Sequence, residues 1–264
     1  YPGMHHFHSS VSGVLRAWSG RSMDDPWPSP VASELAPYMD KANVDVAFCL
    51  REPMMDITGG VVSFSTNGFM MQQIEPYPNR MYLEANVGPV IKRGIKHANW
   101  ELEYLVKEKG AKLCKVYQPE DDGPINDRRL WPFYEKAQEL GVPLTLHTGV
   151  SYVCPQPNSH RHPQQLDDVA LAFPDLKMIA YHAGWPYTEE LIGLCGKHKN
   201  LYMSLSGIFG WYQRSPYRGY HAIGTALQWV PADKIVLGFD LQIIRPALAT
   251  ATAVIPGMRM VLRF

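Results

Sequence analysis

An α/β chain of eight strand–helix units, closing as a (β/α)8 TIM barrel, is the fold class the sequence predicts, and three observations carry that expectation. Short apolar runs recur along the chain, amphipathic segments separate them, and the runs are near-continuously apolar rather than alternating. Parallel strands covered on both faces read this way, because neither face meets water. The length of 264 residues agrees, since eight such units take about 250 residues.

Taken in order, the first strand ends at the opening histidines of "GMHHFHSS" (3–10). The second to fifth strands are "VDVAFCL" (44–50), "RMYLEANV" (80–87), "KLCKVYQ" (112–118) and "PLTLHTG" (143–149). The sixth to eighth are "KMIAYHAG" (177–184), "NLYMSLSG" (200–207) and "KIVLGFD" (234–240). Between them, "NWELEYLVKEKG" (99–110) and "DRRLWPFYEKAQELG" (127–141) read as helices that stop at a glycine. "HPQQLDDVALAFP" (162–174) and "YTEELIGLCGKHKN" (187–200) read as helices too.

A doubly wound open sheet shows the same alternation and stands as the alternative. Against it, no G-x-G-x-x-G follows the first strand and no Walker A sequence occurs. No Pro/Gly linker divides residues 1–264, so a single domain is expected. The barrel is expected to be distorted, and the tail after Asp240 is short and irregular for a final crossover helix, which leaves room for omitted segments there or in the loops. The chain starts at Tyr1 rather than methionine, which leaves room for residues upstream.

Composition narrows the function classes. Hydrophobic residues make up 46% of the chain, enough for a substantial core. Twenty-five basic and 25 acidic side chains cancel, so no strong field recruits nucleic acid or an anionic membrane. Cys49, Cys114, Cys154 and Cys195 lie far apart without C-x-x-C spacing, and Cys49 and Cys114 sit in apolar runs as buried thiols do. That usage points to a reducing compartment, and with no apolar run near the roughly 18 residues a membrane span needs, a cytoplasmic protein is expected.

The polar residues fall at strand ends. His6 and His8 close the first strand, Lys115 lies in the fourth, and His147, His182 and Asp240 close the fifth, sixth and eighth. In a barrel these C-terminal ends converge on one mouth, where the active site lies. His6 and His8 are one residue apart and so share one side of a strand, whereas His5 turns away. With His147 and Asp240 they would supply three nitrogens and an oxygen. Such a set, with one position left to water, suits Zn²⁺, Mn²⁺ or Fe²⁺ and acidifies that water. Taken singly each element is weak: an H-x-H near a terminus can be a tag remnant, and Asp240 can cap a helix. Their recurrence at the same end of successive strands gives the pattern its force.

The chain resembles the amidohydrolase superfamily, in particular the amidohydrolase-2 branch that includes aminocarboxymuconate-semialdehyde decarboxylase and related aromatic-acid decarboxylases. The resemblance runs from about residue 34 to 240. It rests on "PYMDKANVDVAFCL", "LWPFYEKAQELGVPLTLHTG", "FPDLKMIAYHAGWPY" with its H-x-G, and "VLGFD". It implies His6, His8 and His147 as metal ligands, and Asp240 as a ligand or proton carrier. It implies His182 as the acid/base of the reaction. The chain departs from the branch at Met4, where an acidic residue usually leads the histidine pair.

Elsewhere in the superfamily a strand-four lysine, carboxylated by CO2, bridges two metals. By that resemblance Lys115 and His182 could hold a second ion, which opens hydrolytic or oxygen-activating chemistry. Unmodified, Lys115 is a snorkelling or substrate-contacting cation.

The expected activity is decarboxylation or hydrolysis of a small carboxylated substrate on one metal ion. Arg51 at the end of strand two, Arg161 and Trp185 are the candidate substrate contacts. His160 and His162 flank Arg161 in a polar loop, where solvent exposure is the default reading. A degenerate barrel serving as the structural partner of an active homologue is the reading from a different class, and Met4 encourages it. Barrels of this kind often assemble, so a homo- or hetero-oligomer is expected.

Overall fold

The computed structural model describes residues 32–50, 54–55, 61–63, 66–151, 157–206 and 216–236. Helix α1 (Ala32–Ala42) precedes strand β1 (Ala47–Leu50). Two short strands, β2 (Met54–Met55) and β3 (Val61–Ser63), pair antiparallel as a separate ribbon that the apolar runs do not announce. Helix α2 (Asn67–Ile74) leads to β4 (Met81–Asn86), and α3 (Val90–Arg93) and α4 (Ile95–Lys107) lead to β5 (Leu113–Val116). Then α5 (Trp131–Glu139), β6 (Leu144–Leu146), α6 (Gln165–Ala172) and β7 (Met178–Ala180) follow. Helix α7 (Thr188–Lys197), β8 (Leu201–Ser204), α8 (Pro216–Trp229) and β9 (Ile235–Val236) complete the described chain.

Seven strands form one parallel sheet in the order β1-β4-β5-β6-β7-β8-β9. Each strand lies beside its predecessor, with Asn86 opposite Lys115, Lys115 opposite Thr145 and Thr145 opposite Ile179. A doubly wound sheet reverses its order at a switch point. Among the described strands the order never reverses, and the wall is that of a TIM barrel. All seven runs expected to be the second to eighth strands occupy this sheet. The first, at the opening histidines, lies outside the described residues.

Local sequence explains the punctuation. Gly110 and Gly141, which follow α4 and α5, take φ of 70° and 64°, the left-handed conformation that ends a helix at little steric cost. Asp127 caps the 3-10 turn Arg128–Leu130 that leads into α5, accepting from the Arg129 amide at 2.9 Å, and Pro132 sits in the first turn of α5, where its missing N–H costs nothing.

The two faces of the sheet differ. Leu83, Ala85, Cys114, Val116, Leu144 and Leu146 join Leu102, Phe133 and Leu166 of the helices in the main core. Burial of each of the larger side chains contributes about 1.5–3 kcal/mol. The alternate positions face the other way. There Phe48, Leu113, Ile179, Tyr181, Tyr202 and Val236 form a smaller apolar cluster. Glu84, Asn86, Lys115 and Thr145 share that face, all at most 2% exposed. The inner face is thus polar toward the mouth, where the apolar runs suggested two apolar faces.

Cys49, Cys114 and Cys195 are buried free thiols, as read for the first two, and Cys154 lies outside the described residues. Burial pushes Cys49 up to about 11 and Cys195 up to about 12. No helix among the described residues is long and apolar enough to cross a membrane.

Candidate active site

The register carries His147 and Tyr181 one residue past the paired ends of β6 and β7, on the inner side of the wall. His147 is 8% exposed, and its ring meets Tyr117 edge-on at 5.2 Å and His182 at 4.5 Å. Its Nδ1 lies 3.1 Å from His182 Nε2. Its Nε2 is buried without a hydrogen-bond partner among the described residues. Burial holds the imidazole far below its ordinary value, and the His182, Lys115 and Arg161 charges add to the effect. A neutral imidazole with an unspent nitrogen is what a metal ligand requires.

His182 sits in the turn Tyr181–Gly184 with φ 61°, followed by Ala183 at φ 46°. Two successive non-glycine residues in this region cost about 1–3 kcal/mol each and persist where the surroundings over-determine them. The surroundings here are explicit. Ser206, two residues past β8, accepts from the His182 backbone N–H at 3.1 Å and lies 3.1 Å from His182 Nδ1. One set of tautomers leaves His147 Nε2 its lone pair. His147 Nδ1–H donates to His182 Nε2, and His182 Nδ1–H donates to Ser206 Oγ.

The loop after β6 is clamped from two sides. The Gly149 amide donates to the Arg161 carbonyl at 2.9 Å, and Val150 N–H donates to the Trp185 carbonyl at 2.8 Å. Gly149 has φ 82°, and a Cβ there would lie 2.0 Å from the Trp185 oxygen. Only glycine fits.

Lys115 is 2% exposed, with Nζ 4.0 Å from the centroid of the Tyr181 ring. The Tyr181 hydroxyl donates to Glu84 at 2.8 and 2.7 Å to its two oxygens, and Thr145 Oγ1 donates to the same carboxylate. Arg161 is fully buried, contrary to the exposure expected of its polar loop. Its Nε donates to the Gly149 carbonyl at 3.2 Å and its Nη2 to Asn158 at 3.0 Å. Trp185 is half-buried at the same rim, its backbone tied to Val150.

Of the residues singled out in the sequence, the structure thus brings together His147, His182, Lys115, Arg161 and Trp185. His6, His8, Asp240, Arg51 and Met4 lie outside the described residues. Among the described residues no group of three or more metal-ligating side chains occurs. Glu84, Thr145, Tyr181 and Ser206 escaped the sequence reading. A period-two count would have found two of them: Glu84 lies two from Asn86 and Thr145 two from His147, each pair on one strand face.

A parallel sheet in unbroken order, with imidazoles gathered at its carboxyl ends, defines an enzyme of the α/β-barrel class. The Amidohydro_2 family model, described as Amidohydrolase, matches residues 70–254, and the chain belongs to that family. Among solved structures, an uncharacterised TIM-barrel protein from Bordetella bronchiseptica is 20% identical, with a TM-score of 0.68 over 88% of this chain and 79% of that one. The 5-carboxyvanillate decarboxylase of Sphingomonas paucimobilis is 17% identical, with a TM-score of 0.58 over 92% and 90%. The 4-oxalomesaconate hydratase of Rhodopseudomonas palustris is 16% identical, with a TM-score of 0.52 over 97% and 87%. At these identities the likeness is one of fold. No curated protein matches the chain.

Proposed function

We propose that this enzyme decarboxylates or hydrolyses a small carboxylated substrate at the barrel mouth, with one divalent transition metal as cofactor. The observation that carries the reading is the His147 ring: buried, held neutral, one nitrogen fixed by His182 and the other unspent among the described residues. His147 fits a metal ligand by that test. His6, His8 and Asp240, from outside the described residues, are assigned to complete the set around zinc, manganese or iron. When bound, the metal would polarise the reacting carboxylate or carbonyl and acidify water.

The protein's own groups do the rest. Ser206 holds the His182 ring through Nδ1, which leaves Nε2 on the side of His147. His182 is assigned the proton transfer, with Asp240 as its partner, a role that requires its Nε2 to exchange the His147 hydrogen bond for one to the substrate. In decarboxylation that proton goes to the carbon losing CO2, and in hydrolysis to the leaving group. Arg161 contributes charge from a fixed position, because two of its N–H groups are engaged by Gly149 and Asn158. Arg51 and Trp185 are assigned to the substrate. The named reaction of the Sphingomonas paucimobilis neighbour, decarboxylation of 5-carboxyvanillate, is of the class envisaged.

Metal analysis of the purified protein tests the reading. One transition metal per chain is expected, lost in both His147→Ala and His6→Ala. Full metal retention by either variant refutes the ligand assignment.

A further inference from the structure

The end of β5 carries buried polar groups without partners among the described residues. Lys115 is 2% exposed, yet its Nζ has no carboxylate or carbonyl partner among the described residues and lies against the Tyr181 ring. Glu84, on the neighbouring strand, directs its oxygens to the hydroxyls of Tyr181 and Thr145. Gln118, three residues beyond Lys115, is fully buried with both amide atoms unpartnered among the described residues. Buried ammonium groups are paired or bound to a ligand, because an unspent charge away from water is costly.

From this we propose that Lys115 is the anion anchor of the substrate pocket: its ammonium receives a carboxylate of the substrate. Tyr181 is the platform beneath it. A cation at 4.0 Å from a ring centroid is attracted to the negative π face, and the Glu84 carboxylate on the phenol makes that face more electron-rich. The same face repels an anion. A carbamate at this position would stand over the ring and next to the Glu84 strand, so the geometry favours the free ammonium over a carboxylated lysine bridging two metals. The inference rests on the reading of this mouth as a site for small carboxylates and adds the group that recognises them.

Binding of 4-bromobenzoate and its neutral counterpart 4-bromobenzamide to the full chain, metal-loaded and after chelation, provides the test. Calorimetry is expected to show the acid binding in both states. Lys115→Met is expected to weaken the acid about 10- to 100-fold and the amide less than about twofold, as loss of one charge-assisted hydrogen bond requires. Equal losses for acid and amide would mean that Lys115 only shapes the pocket, and would overturn the proposal. Wild-type crystals soaked with 4-bromobenzoate keep the test decisive even where Lys115→Met fails to fold. Bromine scattering then locates the ring, and a carboxylate out of hydrogen-bond reach of Nζ overturns the proposal. So does a CO2 adduct on Lys115, seen by native mass spectrometry or with ¹³C-bicarbonate. Metal content read on the same samples separates the two readings. Acid binding that survives chelation without any metal ever present would sink the proposed chemistry and leave the anchor standing.

Discussion

His147 stands where the wall passes from apolar to polar, and its surroundings set its charge. Burial, His182, Lys115 and Arg161 all disfavour the imidazolium, so the folded-state value lies well below 6.5. The unfolded chain binds this proton near pH 6.5. The unfolded state therefore holds more protons below that pH, and stability falls as pH falls. The contribution is fully present above about pH 6.5 and is lost as pH drops toward the folded-state value, at up to about 1.4 kcal/mol per pH unit. Urea unfolding of chelated protein between pH 7.5 and 5.5 should show this slope, and His147→Gln should flatten it. An unchanged slope in the variant would place the titration elsewhere. Sequence alone singled out His147 and His182, because each ends an apolar run. It did not reveal Glu84, since one acid inside "RMYLEANV" reads as noise until the strand's two faces are separated. Nor did it reveal that Arg161 is buried, because its loop is polar in composition and folds back onto Gly149.

Between elements, the segments following β6 and β7 approach one another closely. Gly149 at φ 82° lets its backbone close on Trp185, where a methyl group would lie 2.0 Å from a carbonyl oxygen that cannot move freely. Gly149→Ala is expected to cost at least about 3 kcal/mol, combining left-handed strain with overpacking. Gly141→Ala, at φ 64° with nothing within 4 Å, should cost only about 1 kcal/mol. Chemical denaturation of the two variants decides the point, and equal small costs would mean that the loops do not pack as described. The strands themselves were legible because burial on the helix side makes each run apolar. Helix ends were less so: the expected helix 162–174 is observed as Gln165–Ala172, preceded by the 3-10 turn Asn158–Arg161. The β2–β3 ribbon carries too few residues to leave a periodic signal.

At the scale of the molecule, strand order was the quantity that local pattern could not supply. Barrel and doubly wound sheet share the same alternation, and only pairing between distant runs separates them; here β1 meets β4 and β8 meets β9 in sequence order. The main core is likewise continuous, from Leu83 on β4 to Val230 just past α8. The proposed ligands are spread over the same distance, with His147 in the middle of the chain and His6, His8 and Asp240 toward its ends. A metal held by them would link segments far apart along the chain, and its binding energy would appear as stability of the whole fold. At a free metal concentration about 1,000 times the dissociation constant the gain is about 4 kcal/mol. For a chain of this size each kcal/mol moves the melting temperature by about 2–4 °C. Chelation should therefore lower Tm by about 8–16 °C, with the difference restored by added manganese or zinc and absent in His147→Ala. Identical melting curves before and after confirmed metal removal would show that the ion does not bridge these strands, and would return His6, His8 and Asp240 to the status of isolated polar residues.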